Sequence, residues 1–157
     1  PGYGPIGQID GTALRYALRA RPAEPIPRGE VMPRVDMLTA AIGGTCLIDA
    51  AVADGARGLV IDGLGRGQVP PDWVPAIERA SAADIPIAVT SSTGSGPVRT
   101  VYEYTGSLDS IIAVGALPAG ALTARQARIL MIMLLSTGEA RPGLAAGLAR
   151  VAGWPAD

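Results

Sequence analysis

A short apolar run that ends in three alternating glycines constrains the fold of this chain more than any other feature. Residues 58–61 are almost wholly apolar, and Gly63, Gly65 and Gly67 follow them closely. Apolar runs of this length are typical of a strand that is buried on both faces of a parallel sheet. Glycine lets the backbone turn sharply and lets another group approach it closely. We therefore predict a buried strand whose carboxyl end carries a binding loop, as in open α/β sheets.

From residue 34 onward, apolar runs alternate with stretches that have helical signals. Four runs are interpreted as strands: residues 35–38, 58–61, 87–90 and 111–114. The first predicted helix covers residues 46–54, with Thr45 as N-cap and Gly55 as stop. A second helix is predicted to begin at Asp72 as N-cap, with Pro75 in its first turn. Two more helices are predicted after Thr123 and at residues 142–152. This alternation predicts an α/β fold: a small parallel sheet of about four strands, Rossmann-like, flanked by helices on both faces.

The two ends of the chain carry different signals. Residues 1–33 are rich in proline, which forbids long regular structure, although residues 8–18 can hold a short strand. We interpret residues 1–33 as an extended arm or linker that precedes a domain over residues 34–157. Near the other end, Thr123 and Gln126 have the spacing of a capping box, and the helix that follows is predicted to be covered on most sides.

The residue types that are missing exclude several kinds of site. The chain has no His and no Lys, which excludes Ser–His and Cys–His nucleophile pairs, His-containing zinc sites and Lys-containing phosphate loops. A formal net charge of −1 shows no electrostatic footprint for nucleic acid or an anionic membrane. The single cysteine, Cys46, cannot form an internal disulfide and is interpreted as a core residue, which fits a reducing compartment. The longest apolar run, residues 129–135, is far too short to span a membrane.

Local patterns alone leave the chemistry open. The three glycines are spaced Gly-x-Gly-x-Gly rather than Gly-x-Gly-x-x-Gly, so a tight turn without a ligand is favoured over a dinucleotide site. Residues 91–95 hold several hydroxyls but no base to activate them, which favours a polar turn. Glu103 lies between two tyrosines; its carboxylate is either a solvated surface charge or a partner for an ammonium group at a ligand-binding edge.

An ordered set of short motifs extends over nearly the whole chain. The set comprises Tyr3-Gly4-Pro5-Ile6-Gly7, Met32-Pro33-Arg34-Val35, Gly58-Leu59-Val60-Ile61 with the glycine loop and Val69-Pro70, Thr90-Ser91-Ser92 with Gly96, Gly115-Ala116-Leu117, and Leu122 with Ala127-Arg128-Ile129-Leu130. In this order the motifs resemble the bacterial-type L-asparaginase/glutaminase family. The resemblance implies that residues 1–33 are the end of that family's N-terminal domain with the linker, and that residues 34–157 are its complete, smaller C-terminal domain.

The family removes ammonia from the side-chain amide of L-asparagine, and in some members of L-glutamine. Its threonine nucleophile and supporting Thr-Asp-Lys group lie in the N-terminal domain, and neither motif is in this sequence. The resemblance therefore implies no catalytic residue here and no activity of the chain alone. It also implies that the C-terminal domain supplies substrate-binding residues to a neighbouring subunit: an Asn in a Gly-x-Gly-Asn loop and a Glu after the serine loop. Matching the loops puts Gln68, one methylene longer than Asn, and Glu103 at these positions.

The resemblance also implies the setting in which such a protein acts. The expected parent protein is a cytoplasmic homo-oligomer, a dimer or tetramer, that acts on a small molecule without a cofactor or metal and without nucleic-acid or membrane partners. Two alternatives remain open. One is the asparaginase-like subunit of an archaeal-type glutamyl-tRNA amidotransferase, which passes ammonia to a partner. The other is a non-enzymatic α/β module that binds a small ligand.

Overall fold

The first described segment is a β-hairpin. The structure is a computed structural model, and it describes residues 7–16, 25–44 and 46–152. β1 (Gly7–Asp10) pairs antiparallel with β2 (Ala13–Tyr16), and Gly11 has a φ of 62° in the turn between them. Residues 25–34 then continue without a helix or strand. The short strand expected within residues 8–18 is thus a pair of strands, and residues 25–34 lead into the main sheet without regular secondary structure.

Four parallel strands form the main sheet, and they lie side by side in the order in which they occur along the chain. They are β3 (Val35–Thr39), β4 (Gly58–Gly63), β5 (Ile87–Ser91) and β6 (Leu117–Pro118). In the register of the sheet, Val60 lies between Met37 of β3 and Ala88 of β5. β4 is buried along nearly its whole length, which explains why its sequence is a continuous apolar run.

Helices cover both faces of this sheet. They are α1 (Cys46–Ala53), α2 (Val74–Ala82), α3 (Leu108–Ala113), α4 (Ala124–Ser136) and α5 (Arg141–Ala152). Leu59 and Ile61 of β4 belong to the apolar core shared with α1, α2 and α3, whereas Val60 belongs to the core shared with α4 and α5. Successive side chains of a strand point to opposite faces, so the central strand supports two separate cores. The predicted α/β class with helices on both faces is confirmed.

The predicted fourth strand over residues 111–114 is wrong, because this segment is the end of α3. The helix begins after Ser107, whose hydroxyl accepts a hydrogen bond from the Ser110 N–H at 3.3 Å. Leu108 and Ile111 are both buried and lie three residues apart, on one side of the helix. Periodicity does not separate a strand from a helical turn in so short an apolar run, so the cap and the packing decide. The real fourth strand, β6, follows within a few residues and holds only two residues.

The start of α2 differs from the prediction in one respect. A 3-10 turn over Pro71–Trp73 leads into the helix, and Trp73 occupies the N-cap position with helical backbone angles (φ −79°, ψ −26°) and no side-chain cap. Asp72 is therefore not the N-cap. Pro75 does lie in the first turn, where its missing N–H costs nothing. The buried side of the helix consists of Ala76, Ile77 and Ala80.

The capping box of α4 is confirmed. The Gln126 N–H donates to the Thr123 hydroxyl (3.3 Å), and the Gln126 side-chain oxygen accepts from the Thr123 N–H (3.0 Å). Met131 of this helix is fully buried, whereas Ile129 is 63% exposed, so one side of the helix faces solvent. At α1, Gly55 has a φ of 90° beyond the helix end, as its predicted role requires. The predicted N-cap Thr45 and the side chain of Cys46 lie outside the described part of the chain.

Candidate functional site at the carboxyl edge of the sheet

The glycine loop, residues 63–69, contains a tight turn that closes on itself at the end of β4. The Leu64 N–H donates to the Gln68 carbonyl oxygen, and the Gln68 N–H donates to the Leu64 carbonyl oxygen, both at 2.8 Å. Between them, Gly65 and Gly67 have φ values of 50° and 99°. Residues with a Cβ strongly disfavour this left-handed region. The alternating glycines are therefore required by the turn itself.

The loop has a packed inner side and a solvent-facing outer side. A Cβ on Gly63 would lie 2.9 Å from the backbone of Gly67, and a Cβ on Gly67 would lie 2.9 Å from the Val98 side chain. Leu64 and Arg66 are exposed instead. Side chains that reach a ligand from this loop must therefore start from the outer side or from its closing residue.

The serine turn after β5 is bonded to the glycine loop. The Ser92 N–H donates to the Gly63 carbonyl oxygen at 2.9 Å, and the Ser91 hydroxyl donates to the Gly65 carbonyl oxygen. The Thr93 hydroxyl lies 2.7 Å from the Ser91 hydroxyl. These hydroxyls hold the two turns together, which is the arrangement expected of a polar turn. Because β4 and β5 are parallel, both loops emerge at the same edge of the sheet.

A third segment, residues 98–107, is anchored to the glycine loop at two points. The Arg99 N–H donates to the Arg66 carbonyl oxygen at 3.2 Å, and the Gly106 carbonyl oxygen accepts from the Val69 N–H at 2.9 Å. We call residues 98–107 the crossing segment. Glu103 lies between the two anchors, so the stretch of chain that carries it is held beside the loop that carries Gln68.

The structure presents the two predicted substrate-binding residues in different ways. Gln68 is only 8% exposed, and its amide oxygen accepts a hydrogen bond from the Arg66 N–H at 2.8 Å. Because a backbone N–H can only donate, this bond identifies the oxygen end of the amide and makes the NH₂ group the other end. Glu103 is exposed, between Tyr102 and Tyr104, whose ring centroids lie 6.1 Å apart.

Four further residues at this edge were not predicted as site residues from the sequence: Asp62, Arg66, Thr90 and Gly106. The buried Thr90 hydroxyl donates to an Asp62 carboxylate oxygen at 3.1 Å, near the ends of β5 and β4. Arg66 lies at the tip of the loop, and Gly106 forms the second anchor. The sequence pattern could have indicated Asp62, since it is a carboxylate near the end of an otherwise apolar strand. No sequence pattern indicated Gly106, because its hydrogen-bond partner Val69 is far away in the sequence.

The clearest electrostatic perturbation lies at the opposite edge of the sheet. Arg34 donates to both carboxylate oxygens of Asp36 (2.9 and 2.7 Å), and this hydrogen bonding holds the pKa of Asp36 below its ordinary value. Within the described residues, no group of three or more His, Cys, Asp or Glu side chains could hold a metal ion. The same part of the chain contains no helix with the length and apolar character needed to cross a membrane.

Comparison with known proteins decides the family. A family model for the Glutaminase/Asparaginase C-terminal domain matches residues 34–146. The chain therefore belongs to this family. It is an asparaginase-type C-terminal α/β domain, as the ordered motifs implied.

Curated relatives of this asparaginase-type domain include a probable L-asparaginase of Deinococcus radiodurans, 37% identical over 145 residues, and an L-asparaginase of Bacillus licheniformis, 31% identical over 137 residues. The matches cover 89% and 87% of the chain, but only 44% and 42% of the relatives. The chain thus spans less than half the length of either protein. One subunit of the glutamyl-tRNA(Gln) amidotransferase of Aeropyrum pernix is 38% identical over 81 residues, which is 52% of this chain and 18% of that protein.

The fold has a solved counterpart. The crystal structure of a probable cytoplasmic L-asparaginase from Campylobacter jejuni superimposes with a TM-score of 0.78 at 19% sequence identity. The match covers 94% of this chain and 46% of that protein. At this identity the likeness concerns the fold, and it confirms the arrangement of sheet and helices.

Proposed function

We propose that this chain is the C-terminal part of an L-asparaginase, which hydrolyses the side-chain amide of asparagine to aspartate and ammonia. The observation that carries the proposal is the carboxyl edge of the sheet, where the glycine loop and the crossing segment are hydrogen-bonded at two points. Ligands of open α/β sheets bind at this edge. The L-asparaginases among the relatives support the choice of reaction.

In this proposal, Glu103 and Gln68 bind the substrate and catalyse nothing themselves. The exposed Glu103 carboxylate is free to accept hydrogen bonds from the ammonium group of asparagine. The Gln68 amide oxygen holds the loop through the Arg66 N–H, so the NH₂ group is the end that donates to a substrate oxygen. Gln68 thereby keeps the amide chemistry of the family's Asn while the same side chain rigidifies its own loop.

The proposal divides the parent protein in two. Residues 1–33 are the end of the N-terminal domain with the linker, and residues 34–157 are the C-terminal domain; the family match from residue 34 supports this boundary. The threonine nucleophile belongs to the N-terminal domain, and the substrate site is completed between subunits of a cytoplasmic homo-oligomer, a dimer or tetramer. The 157-residue chain alone then releases no ammonia from asparagine.

The test uses the full-length parent enzyme and measures ammonia release from asparagine. Loss of one partner of a desolvated charge pair costs about 2–5 kcal/mol, so Glu103→Gln lowers kcat/KM by at least about tenfold. Glu78→Gln is the matched control, because Glu78 is also exposed but lies on α2. Full activity of Glu103→Gln, or an equal loss in the control, would exclude the proposed role of Glu103. Absence of asparagine hydrolysis by the parent would exclude the reaction.

The similarity to glutamyl-tRNA(Gln) amidotransferase subunits favours one second candidate, a subunit that supplies ammonia for conversion of Glu-tRNA. The two L-asparaginase matches cover 89% and 87% of this chain, whereas the amidotransferase match covers 52%, which makes this candidate the weaker one. Hydrolysis that requires a partner protein and Glu-tRNA would support the second candidate. Hydrolysis by the purified parent alone, unaffected by Glu-tRNA, would exclude it.

A further inference from the structure

Residues 25–34, which we call the strap, are held against the helices although they contain no helix or strand. Near one end, the Ile26 side chain packs on the apolar core beneath α4 and α5. At the other end, the Arg34 carbonyl oxygen accepts from the Arg57 N–H at 2.8 Å, and the Arg34 guanidinium donates to the Asp54 carbonyl oxygen just beyond α1 at 2.8 Å. The strap therefore contacts the helix layers on both faces of the sheet.

A hydrogen bond fixes the middle of the strap to the last turn of α4. The Gly29 N–H donates to the Ser136 hydroxyl at 2.9 Å, and that hydroxyl donates in turn to the Met133 carbonyl oxygen at 2.7 Å. A Cβ on Gly29 would fall on the Ser136 carbonyl oxygen, so the backbone of the strap lies directly against the helix end. Only a residue without a Cβ permits so close an approach.

The strap is stiff, and few other contacts hold it. Pro25, Pro27 and Pro33 each fix one backbone angle, so the strap loses little entropy when it docks and acts as a semi-rigid spacer. Val31 and Met32 are 76% and 43% exposed, so they add little burial to the docked state. A stiff segment with few contacts leaves much of the control over docking to the hydrogen bond at α4.

We propose that Ser136 is a positioning residue: its hydroxyl latches the strap on α4 and so fixes the direction in which the preceding part of the parent protein leaves this domain. The inference rests on the proposed function, which assigns the threonine nucleophile to that preceding part and the substrate-binding residues to this domain. A misplacement of about 1 Å can cost about 100-fold in rate, so the strap acts on turnover from a distance. Leu135, beside Ser136, lies against Gly58 at the start of β4, which puts the latch at the amino edge of the sheet, opposite the candidate site.

Limited trypsin digestion of the 157-residue chain tests the latch without an activity assay. Cleavage after the exposed Arg28 cuts the bond to Gly29, whose N–H is held by α4, so its rate follows the population in which the strap has left the helix. Loss of the hydrogen bond in Ser136→Ala should raise this rate by about two- to tenfold. Thr137→Ala is the matched control and should leave the rate unchanged, because the Thr137 hydroxyl also donates to a carbonyl oxygen three residues back, that of Leu134 at 2.8 Å, but makes no hydrogen bond to the described strap.

Cleavage at a second arginine separates local release of the strap from general unfolding. The bond after Arg57 leads into the buried start of β4, so trypsin reaches it only when the sheet opens. Mass spectrometry of the fragments distinguishes the two cuts. Equal rates after Arg28 in Ser136→Ala and Thr137→Ala, or an equal rise after Arg28 and Arg57, would overturn the inference.

The positioning role is tested in the full-length enzyme with a change on the strap itself. Gly29→Ala drives the strap off α4 by contact with the Ser136 carbonyl oxygen and should lower kcat/KM for asparagine by at least about tenfold. Glu30→Ala, at the exposed neighbouring position, should leave kcat/KM unchanged. Unchanged kinetics of Gly29→Ala would overturn the positioning role while the proposed function stands. A wild-type enzyme that fails to hydrolyse asparagine would overturn the proposed function and this role, whereas the trypsin rates still decide the latch.

Discussion

Gly106 connects the crossing segment to the glycine loop through a backbone hydrogen bond, and Gly106→Ala is the sharpest test of that connection. The residue is buried, has a φ of 97°, and accepts a hydrogen bond from the Val69 N–H at 2.9 Å. A Cβ at this position would fall inside the contact distance of the Val69 carbonyl oxygen and 3.3 Å from the Pro71 nitrogen. Both neighbours are backbone atoms, so no side-chain rotation relieves the contact.

The size of the effect follows from two separable costs. A left-handed backbone costs a residue with a Cβ about 1–2 kcal/mol, and loss of the Val69–Gly106 hydrogen bond costs about 0.5–1.5 kcal/mol more. Gly106→Ala should therefore lower the free energy of unfolding by at least about 1.5–3.5 kcal/mol, with the backbone contact as an addition. Gly94→Ala isolates the first cost, because Gly94 has a φ of 71° and open space around its Cβ position.

Urea unfolding of the 157-residue chain, followed by circular dichroism, measures both variants. The midpoint of Gly106→Ala should lie clearly below that of Gly94→Ala at an unchanged slope, since the slope reports the surface exposed on unfolding. Equal midpoints would refute the reasoning, because they would show that the Val69 carbonyl oxygen and this connection add nothing to the cost of the left-handed backbone.

Three further predictions concern the stability of the same chain. Thr123→Ala removes the capping box of α4 and should cost about 1 kcal/mol in thermal unfolding; an unchanged melting temperature would contradict the cap. Leu148→Ala, at a fully buried site, should lower the free energy of unfolding in urea by about 2–5 kcal/mol. Ile129→Ala, at a site that is 63% exposed, should change it by no more than about 0.5 kcal/mol. Similar losses for the two variants would contradict these burial assignments. Because Arg34 lowers the pKa of Asp36, their pairing stabilises the fold above about pH 4, and the stabilisation disappears as the pH falls further. Arg34→Gln should lose this part of the pH dependence of unfolding. An unchanged acid unfolding curve would argue against the pairing.

The central strand, the glycine turn and the last two helices could be predicted because their signals are local. The apolar run at residues 58–61 fits only a buried element, and Thr123 with Gln126 marks a helix start within four residues of sequence. The glycines of the loop predict a turn, and Gly65 and Gly67 have the left-handed φ values that this turn requires. The order of motifs was enough to predict the family.

Two elements beside the candidate site depend on contacts that the hydrophobic pattern of the sequence does not reveal. Ile111 became helical because Ser107 caps the turn and the core covers its side chain, and the two-residue strand β6 exists only through its pairing with Ala88 and Val89. Hydrophobic periodicity predicts neither the capped helical turn nor the two-residue strand, since a short apolar run fits both a helix and a strand.

The sequence by itself determined the α/β class, the turn at residues 63–68 and the family, because each of these follows from local backbone preferences or from an ordered set of motifs. Tertiary structure alone decided that Gln68 is buried with its amide oxygen turned to Arg66, and that the crossing segment is anchored at Arg66 and Val69. The physical reason is that a side chain with both a donor and an acceptor takes whichever partners the fold brings near it. Parallel strands bring loops from different parts of the chain to one edge.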